Sequence, residues 1–315
     1  MGPAIETTNL TKNYGTLVAV DNLNLKVERN TIHGFLGPNG AGKSTTIKML
    51  VGLLRPTQGT ARLLGQEASS DNPESRQNVG FMPELPRLPK HLKTTELLDI
   101  YGRMIGLSEG ERRAEIPKLI DLVGLKGREH DLIGKYSKGM QQRIGIAQAL
   151  LGEPELVILD EPTIGLDPVG MVEVRELMKG IAKEGRTVFL SSHLLFEVEQ
   201  ICNHITIIHH GKVLASDSLA NVSGMLRGKP RLVIEVSNPS TALVEAVRTL
   251  PFVSTVTLDQ HNISIDLDTG EDVRAQVSQQ ITKLGGIIVA MNASTHSLED
   301  VFVQLVAKSD GGKSP

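Results

Sequence analysis

Gly37-Pro38-Asn39-Gly40-Ala41-Gly42-Lys43-Ser44-Thr45 decides the fold of this 315-residue chain. The stretch fits the pattern Gly-x-x-x-x-Gly-Lys-Ser/Thr, a phosphate-binding loop set between a strand and a helix. Its surroundings read the same way. Residues 31–36 form a short apolar strand, and 45–54 follow with helical spacing until Arg55-Pro56 ends the helix. Glycines let backbone N–H groups turn inward around phosphate oxygens. The helix N-terminus adds a favourable dipole and unpaired N–H groups. In such a loop Lys43 reaches the β- and γ-phosphates of a nucleotide, and the Ser44 hydroxyl sits on Mg²⁺.

Downstream, Leu156-Val157-Ile158-Leu159-Asp160-Glu161-Pro162 sets four apolar residues ahead of two acids. The apolar run predicts a strand buried on both faces. Its acids emerge at the carboxyl end, where open α/β sheets bind ligands. Asp160 suits Mg²⁺ through water, because that ion keeps part of its hydration shell. Glu161, one residue on, is placed to take a proton from an attacking water. Alone, this pair would equally read as a strand ending in a solvated turn; the phosphate loop upstream decides for a site.

Outward from these two stretches, residues 5–10 and 17–27 alternate as antiparallel strands near the start, and 60–64 form another strand. Residues 94–152 are helical, with breaks at Gly106, Gly124 and Gly134. Then come helix 172–184, strand 187–191, helix 194–202 and strand 205–209. Strands alternating with helices predict a mainly parallel sheet covered by helices, with the 94–152 helices as an insertion. Character changes near 221–229, a Gly- and Ser-containing stretch. Beyond it the order strand, helix, strand, strand, helix, strand is that of a split-βαβ, ferredoxin-like module, closed by a helix over 298–308. The expected organisation is a first domain over 1–222 with its helical insertion at about 90–152. A small α+β domain over 229–308 and a frayed tail over 309–315 follow. The apolar run 286–291 reads as core.

Bulk properties exclude several classes. The chain is 40% hydrophobic and 22% charged, an ordinary soluble composition, with net charge -3 and so no global basic field. It has no Trp and 3% aromatic residues, which argues against a base-stacking platform for nucleic acid. The lone Cys202 cannot form an internal disulfide or a thiolate metal site. No apolar run is long enough to span a bilayer, and residues 1–10 lack a basic-then-apolar signal segment. Any membrane role must come through a partner. His204, His209 and His210 lack the Cys or carboxylate spacing of a metal site and read as structural. Arg112-Arg113 reads as a solvated helix face.

A third stretch, Tyr136-Ser137-Lys138-Gly139-Met140-Gln141-Gln142-Arg143, opens a helical segment. By itself it reads as a helix cap or as a second anion site, made from a hydroxyl, a glycine backbone and a helix N-terminus. It resembles the signature motif of ABC-type ATPases, usually Leu-Ser-Gly-Gly-Gln followed by Gln-Arg. Ser137 and Gly139 match; Lys138 and Met140 depart from the general form but are similar to the variant of drug-exporter-like subunits. The resemblance covers about residues 1–220. It implies an α/β fold: a P-loop NTPase core with an antiparallel N-terminal subdomain and a helical insertion. It implies that ATP and Mg²⁺ are bound and that the chain is an ATPase. It implies that Tyr14 stacks on adenine and that Gly165-Leu166-Asp167 touches a partner subunit and its nucleotide. His193, after Leu190-Ser191-Ser192, is implied to sense the γ-phosphate. Glu84, in Gly80-Phe81-Met82-Pro83-Glu84, stands where most of the family has a glutamine linking metal and water to the membrane subunit. A carboxylate there adds charge and remains able to bind the metal.

The resemblance further implies two copies packed head-to-tail, each ATP touching Lys43 of one chain and Ser137 of the other. Separate integral membrane permease subunits are the other expected partners, so the chain is expected at the cytoplasmic face of the membrane. Ser297-Leu298-Glu299-Asp300-Val301-Phe302 resembles the ending of bacterial subunits that serve drug, antibiotic and sodium exporters. The alternative is a non-transport ABC-type ATPase acting on a macromolecular complex. Such translation factors usually carry two cassettes, and such repair ATPases carry long coiled coils; this chain has one cassette and no sustained heptads.

Overall fold

Five consecutive residues of Ile32–Leu36 are buried, as are all of Leu156–Asp160 and Thr187–Ser192. Strands without a solvent face belong in the middle of a covered sheet. In the computed structural model, which describes residues 2–224, 231–269, 271–294 and 298–309, they occupy that place. The six-stranded order is Lys212–Ser218, His204–His209, Ile32–Leu36, Thr187–Ser192, Leu156–Asp160, Val79–Met82. Neighbours are parallel except for the hairpin between the first two strands. Helices Lys138–Leu150, Pro168–Lys183 and Leu195–Ile201 pack on this sheet. His33, on the central strand, is almost wholly buried and bonds through Nε2 to Thr206 Oγ1 at 2.9 Å.

Register brings the carboxyl ends of the parallel strands to one edge. Leu36 pairs with Ser192, Asp160 with Ser191, and Met82 with Leu159. The phosphate loop, Glu161, His193 and Glu84 each leave this edge, which is where such a sheet presents a ligand site.

A second, antiparallel sheet is built on Ile5–Tyr14, which pairs with Leu17–Leu23, Lys26–Val27 and Gln58–Leu63. Ile5, Leu10 and Leu63 share one apolar cluster with Phe35, Ile158 and Phe189, so the two sheets have a common core. The insertion is three helices: Thr94–Met104, Glu109–Leu122 and Lys138–Leu150. The second is started by a reciprocal cap, Ser108 N–H donating to Glu111 and Glu111 N–H to Ser108 Oγ.

The chain divides into two compact units, Met1–Leu219 and Ala220–Pro315. In the second, the antiparallel strand order is Val253–Asp259, Asn262–Leu267, Arg231–Val236, Ile288–Ser294. Helices Thr241–Arg248 and Arg274–Lys283 bury Leu243, Val247, Val277 and Ile281 against Ile234 and Ile265. Arg231 ties two elements together through Asp266 and Asp300.

The structure departs from the sequence reading in several places. The phosphate-loop helix is Lys43–Leu50, starting two residues early because Gly42 caps it in a left-handed conformation. Val79–Met82 and Lys212–Ser218 are strands that periodicity did not single out. The run 286–291 is not core throughout: Ile287, just before the edge strand, and Val289 on it are 62% and 59% exposed, while Ile288 and Met291 pack against the core. Residues 225–230, Ser297 and 310–315, where the linker, the start of the closing motif and most of the tail were expected, lie outside the described residues. Ser309, expected to begin the tail, is still helical.

Candidate functional site

The phosphate loop is shaped by its backbone. Gly42 has φ +106°, and a Cβ there would stand 2.5 Å from the Ala19 carbonyl oxygen. At Gly37 a Cβ would stand 2.3 Å from the Ile208 carbonyl oxygen. Only glycine fits either place. The Ala41 carbonyl accepts from Gly211 N–H, which pins the loop to the neighbouring hairpin.

Lys43 begins the helix and is buried, with Nζ 2.6 Å from Gly37 O and 3.3 Å from Pro38 O. It also lies 3.2 Å from Glu161 Oε1, a buried ion pair. The other carboxylate oxygen of Glu161 is 2.9 Å from His193 Nδ1. Glu161 takes a left-handed backbone, φ +50°, which costs a non-glycine residue about 1–3 kcal/mol. That turn carries its side chain off the strand axis and toward Lys43. Asp160, 4% exposed, accepts from Ser44 Oγ at 3.3 Å and from Ser191 Oγ at 2.6 Å.

Tyr14, Pro38, Asn39, Gly40, Gly42, Lys43, Ser44, Thr45, Glu84, Glu161 and His193 line one cavity of about 660 Å³. Tyr14 is half exposed at its rim, with Lys12 Nζ 5.4 Å from its ring centre. Gly37 and Ala41 shape the loop behind it. Ser137, Gly139 and Asp167 are elsewhere: they line a second cavity of about 500 Å³. There Ser137 Oγ caps its helix through Met140 N–H, and Asp167 caps the next helix through Gly170 N–H at 2.8 Å. No residue lines both cavities.

Sequence reasoning passed over two residues. Ser191 bonds Asp160 and also accepts from Glu161 N–H at 2.9 Å, so one hydroxyl orients both acids. Gln142 Nε2 donates to the Glu161 carbonyl at 3.4 Å, joining the signature helix to the acid-bearing turn. Ser191 stands two residues before His193, but nothing in its spacing marks it. His210 also lines the first cavity, whereas His204 and His209 lie on a sheet strand.

The donor set fits a nucleotide triphosphate with its metal. Lys43 and the N-terminus of the helix it begins suit phosphate oxygens. The Ser44 hydroxyl and the Asp160 carboxylate, already within hydrogen-bond reach of each other, are the hard oxygen donors that Mg²⁺ takes.

Residues 20–164 match the family model described as ABC transporter. The chain is 39% identical over 313 residues to the bacitracin transport ATP-binding protein BcrA of Bacillus licheniformis, covering 97% of this chain and 98% of that one. It is 39% identical over 215 residues to Nod factor export ATP-binding protein I of Cupriavidus metallidurans, covering 68% of this chain and 71% of that one. Among solved structures, an ATP-binding subunit of an ABC transporter superposes with TM-score 0.65 at 33% identity, over 71% of this chain and 93% of that one. The chain therefore belongs to the ATP-binding subunits of ABC transporters: it is a P-loop ATPase that binds and hydrolyses ATP to power transport. The likeness to BcrA runs through both units, which sets the non-transport alternative aside. No helix among the described residues is long and apolar enough to cross a membrane.

Proposed function

We propose that this chain powers export of an antibiotic-like solute through separate membrane-spanning subunits, to which it docks at the cytoplasmic face of the membrane. The likeness to a bacitracin transport subunit over nearly the whole chain supports the cargo class. The strand order of the second unit supports a ferredoxin-like domain there.

Glu161 acts as the base on the attacking water, held by His193, while Lys43 and the loop N–H groups carry the terminal phosphates. Ser44 and Asp160 would hold Mg²⁺, which supplies charge neutralisation at the β- and γ-phosphates when bound. Tyr14 stacks on the adenine.

One observation carries the dimeric mechanism. The groups fit to bind phosphate are divided between two cavities that share no lining residue. Ser137 and Gly139 become useful to ATP only when a second copy presents its Lys43 cavity to them. ATP then favours the closed pair, and loss of the γ-phosphate releases it. Light scattering of the Glu161→Gln variant tests this: monomer without nucleotide, dimer with ATP and Mg²⁺, little dimer with ADP. Adding Ser137→Arg abolishes the ATP dimer while circular dichroism stays that of the folded monomer. Equal dimer fractions in every nucleotide state, or an ATP dimer indifferent to Ser137→Arg, overturn the split site.

A further inference from the structure

Two side chains with opposite charge, one in each cavity, lack a partner among the described residues. Glu84 follows the strand Val79–Met82 and lines the Lys43 cavity, half-buried. Among the described residues it makes no ion pair and no side-chain hydrogen bond, although Glu161 in the same cavity makes both. Lys138 is the first residue of the signature helix and lines the Ser137 cavity, exposed. It too makes no ion pair or side-chain hydrogen bond among the described residues, although three other cations of that cavity, Lys126, Arg128 and Arg143, are each paired to an acid.

Neither charge is explained by its own surroundings. A cation at the first position of a helix opposes the helix dipole, and the first turn of this one holds no acid to offset it. A carboxylate in a cavity built for phosphates repels the ligand the cavity serves. Residues that break a local rule without local compensation mark function.

We propose that Lys138 of one copy reaches across the closed dimer to Glu84 and the terminal phosphate of the other copy's ATP. This rests on the head-to-tail dimer proposed above and adds the pair that sets its electrostatics. Lys138 adjoins Ser137, so closure that brings Ser137 to the partner's γ-phosphate carries the lysine with it. Its flexible four-carbon stem and point charge suit a target shared between a carboxylate and a phosphate. The pair also makes closure selective: Glu84 penalises ATP in the open chain, and Lys138 removes the penalty only in the dimer.

A charge cycle tests the pairing, read as the ATP concentration giving half-maximal dimer in the Glu161→Gln background. Lys138→Gln leaves Glu84 facing the phosphates and raises that concentration at least tenfold. Glu84→Gln in the same chain brings it back to within about threefold of the starting value. Lys138→Arg keeps a cation and stays within threefold, and the Lys138→Gln defect shrinks as salt screens the repulsion. A Lys138→Gln defect that Glu84→Gln leaves unchanged means the two act independently and overturns the pairing. So does a Lys138→Gln chain that dimerises like its parent. If the parent forms no ATP dimer at all, the head-to-tail reading itself fails, which separates the two conclusions.

Discussion

Replacing Glu161 by Gln keeps the size of the side chain and removes its charge and its capacity as a base. The carboxylate is 6% exposed and bridges Lys43 at 3.2 Å and His193 at 2.9 Å. Loss of a positioned base costs about 10²- to 10⁴-fold in rate. At about 1.4 kcal/mol per tenfold, that is about 3–5 kcal/mol of barrier. The effect on binding has the opposite sign. Two unit charges 3.2 Å apart attract by about 5 kcal/mol at an effective dielectric of 20, largely offset by desolvation. Phosphate oxygens have to draw Lys43 away from that carboxylate. In the variant Lys43 keeps Gly37 O and Pro38 O and is otherwise free for phosphate. The variant therefore binds ATP at least as tightly as the parent, while phosphate release at saturating ATP falls at least a hundredfold. Nucleotide titration and a continuous phosphate-release assay measure the two quantities. Turnover within tenfold of the parent would show that another group activates the water. ATP binding weakened tenfold would show that the carboxylate organises the loop and is not the base.

Lys43→Ala should both weaken ATP binding and stop hydrolysis, since it removes the one cation bonded inside the loop; unchanged affinity in the same titration contradicts the phosphate-loop assignment. Burial, with the neighbouring His204, pushes the His33 imidazole down to about 3 from 6.5. A depressed folded value means the unfolded chain binds the proton first, so stability is full above about pH 6.5 and falls as pH drops toward 3. This group should remove about 2 kcal/mol between pH 7 and pH 5. Urea unfolding of His33→Leu at both values should show that share of the pH dependence gone, and an unchanged slope rejects it.

The site was legible where chemistry fixes residue type and spacing together. A backbone cradle needs Gly37, Gly40 and Gly42 at set intervals, and the lysine and hydroxyl must follow at once, so the loop reads from nine consecutive residues. The paired acids read from the apolar run before them only because the phosphate loop stands upstream. Ser191 did not read: its role depends on register, which sets it opposite Asp160 on the neighbouring strand. The left-handed turn at Glu161 was equally hidden, because no residue type announces it and the surrounding contacts impose it. The strand Val79–Met82 was missed because it is only four residues long, and its pattern is unremarkable until it pairs with Leu156–Asp160. The edge strand Ile288–Ser294 misled in the other direction. An apolar run says that a segment packs, but alternation exposes half of any strand whose far face is uncovered.

The same turn that aims Glu161 also joins the two halves of the site. Glu161 lines the first cavity and Asp167 the second, and the segment between them is short and internally bonded. Ile164 N–H donates to the Glu161 carbonyl at 3.1 Å and Leu166 N–H to the Thr163 carbonyl at 3.2 Å. Thr163 Oγ1 is held in turn by the buried Glu197, and Gln142 of the signature helix holds the Glu161 carbonyl. These bonds tie Glu161, the Gly165-Leu166-Asp167 turn and the signature helix into one hydrogen-bonded unit. On the proposed head-to-tail reading, each chain holds the base for its own nucleotide and, six residues away, a wall of the cavity offered to its partner's. In that dimer the path from hydrolysis at one nucleotide to the grip on the other would be these few bonded residues. Such coupling needs a two-state element that both sites bias. The turn from Glu161 to Asp167 is where such an element would have to act, because it runs from one cavity to the other and is bonded to the signature helix that lines the second.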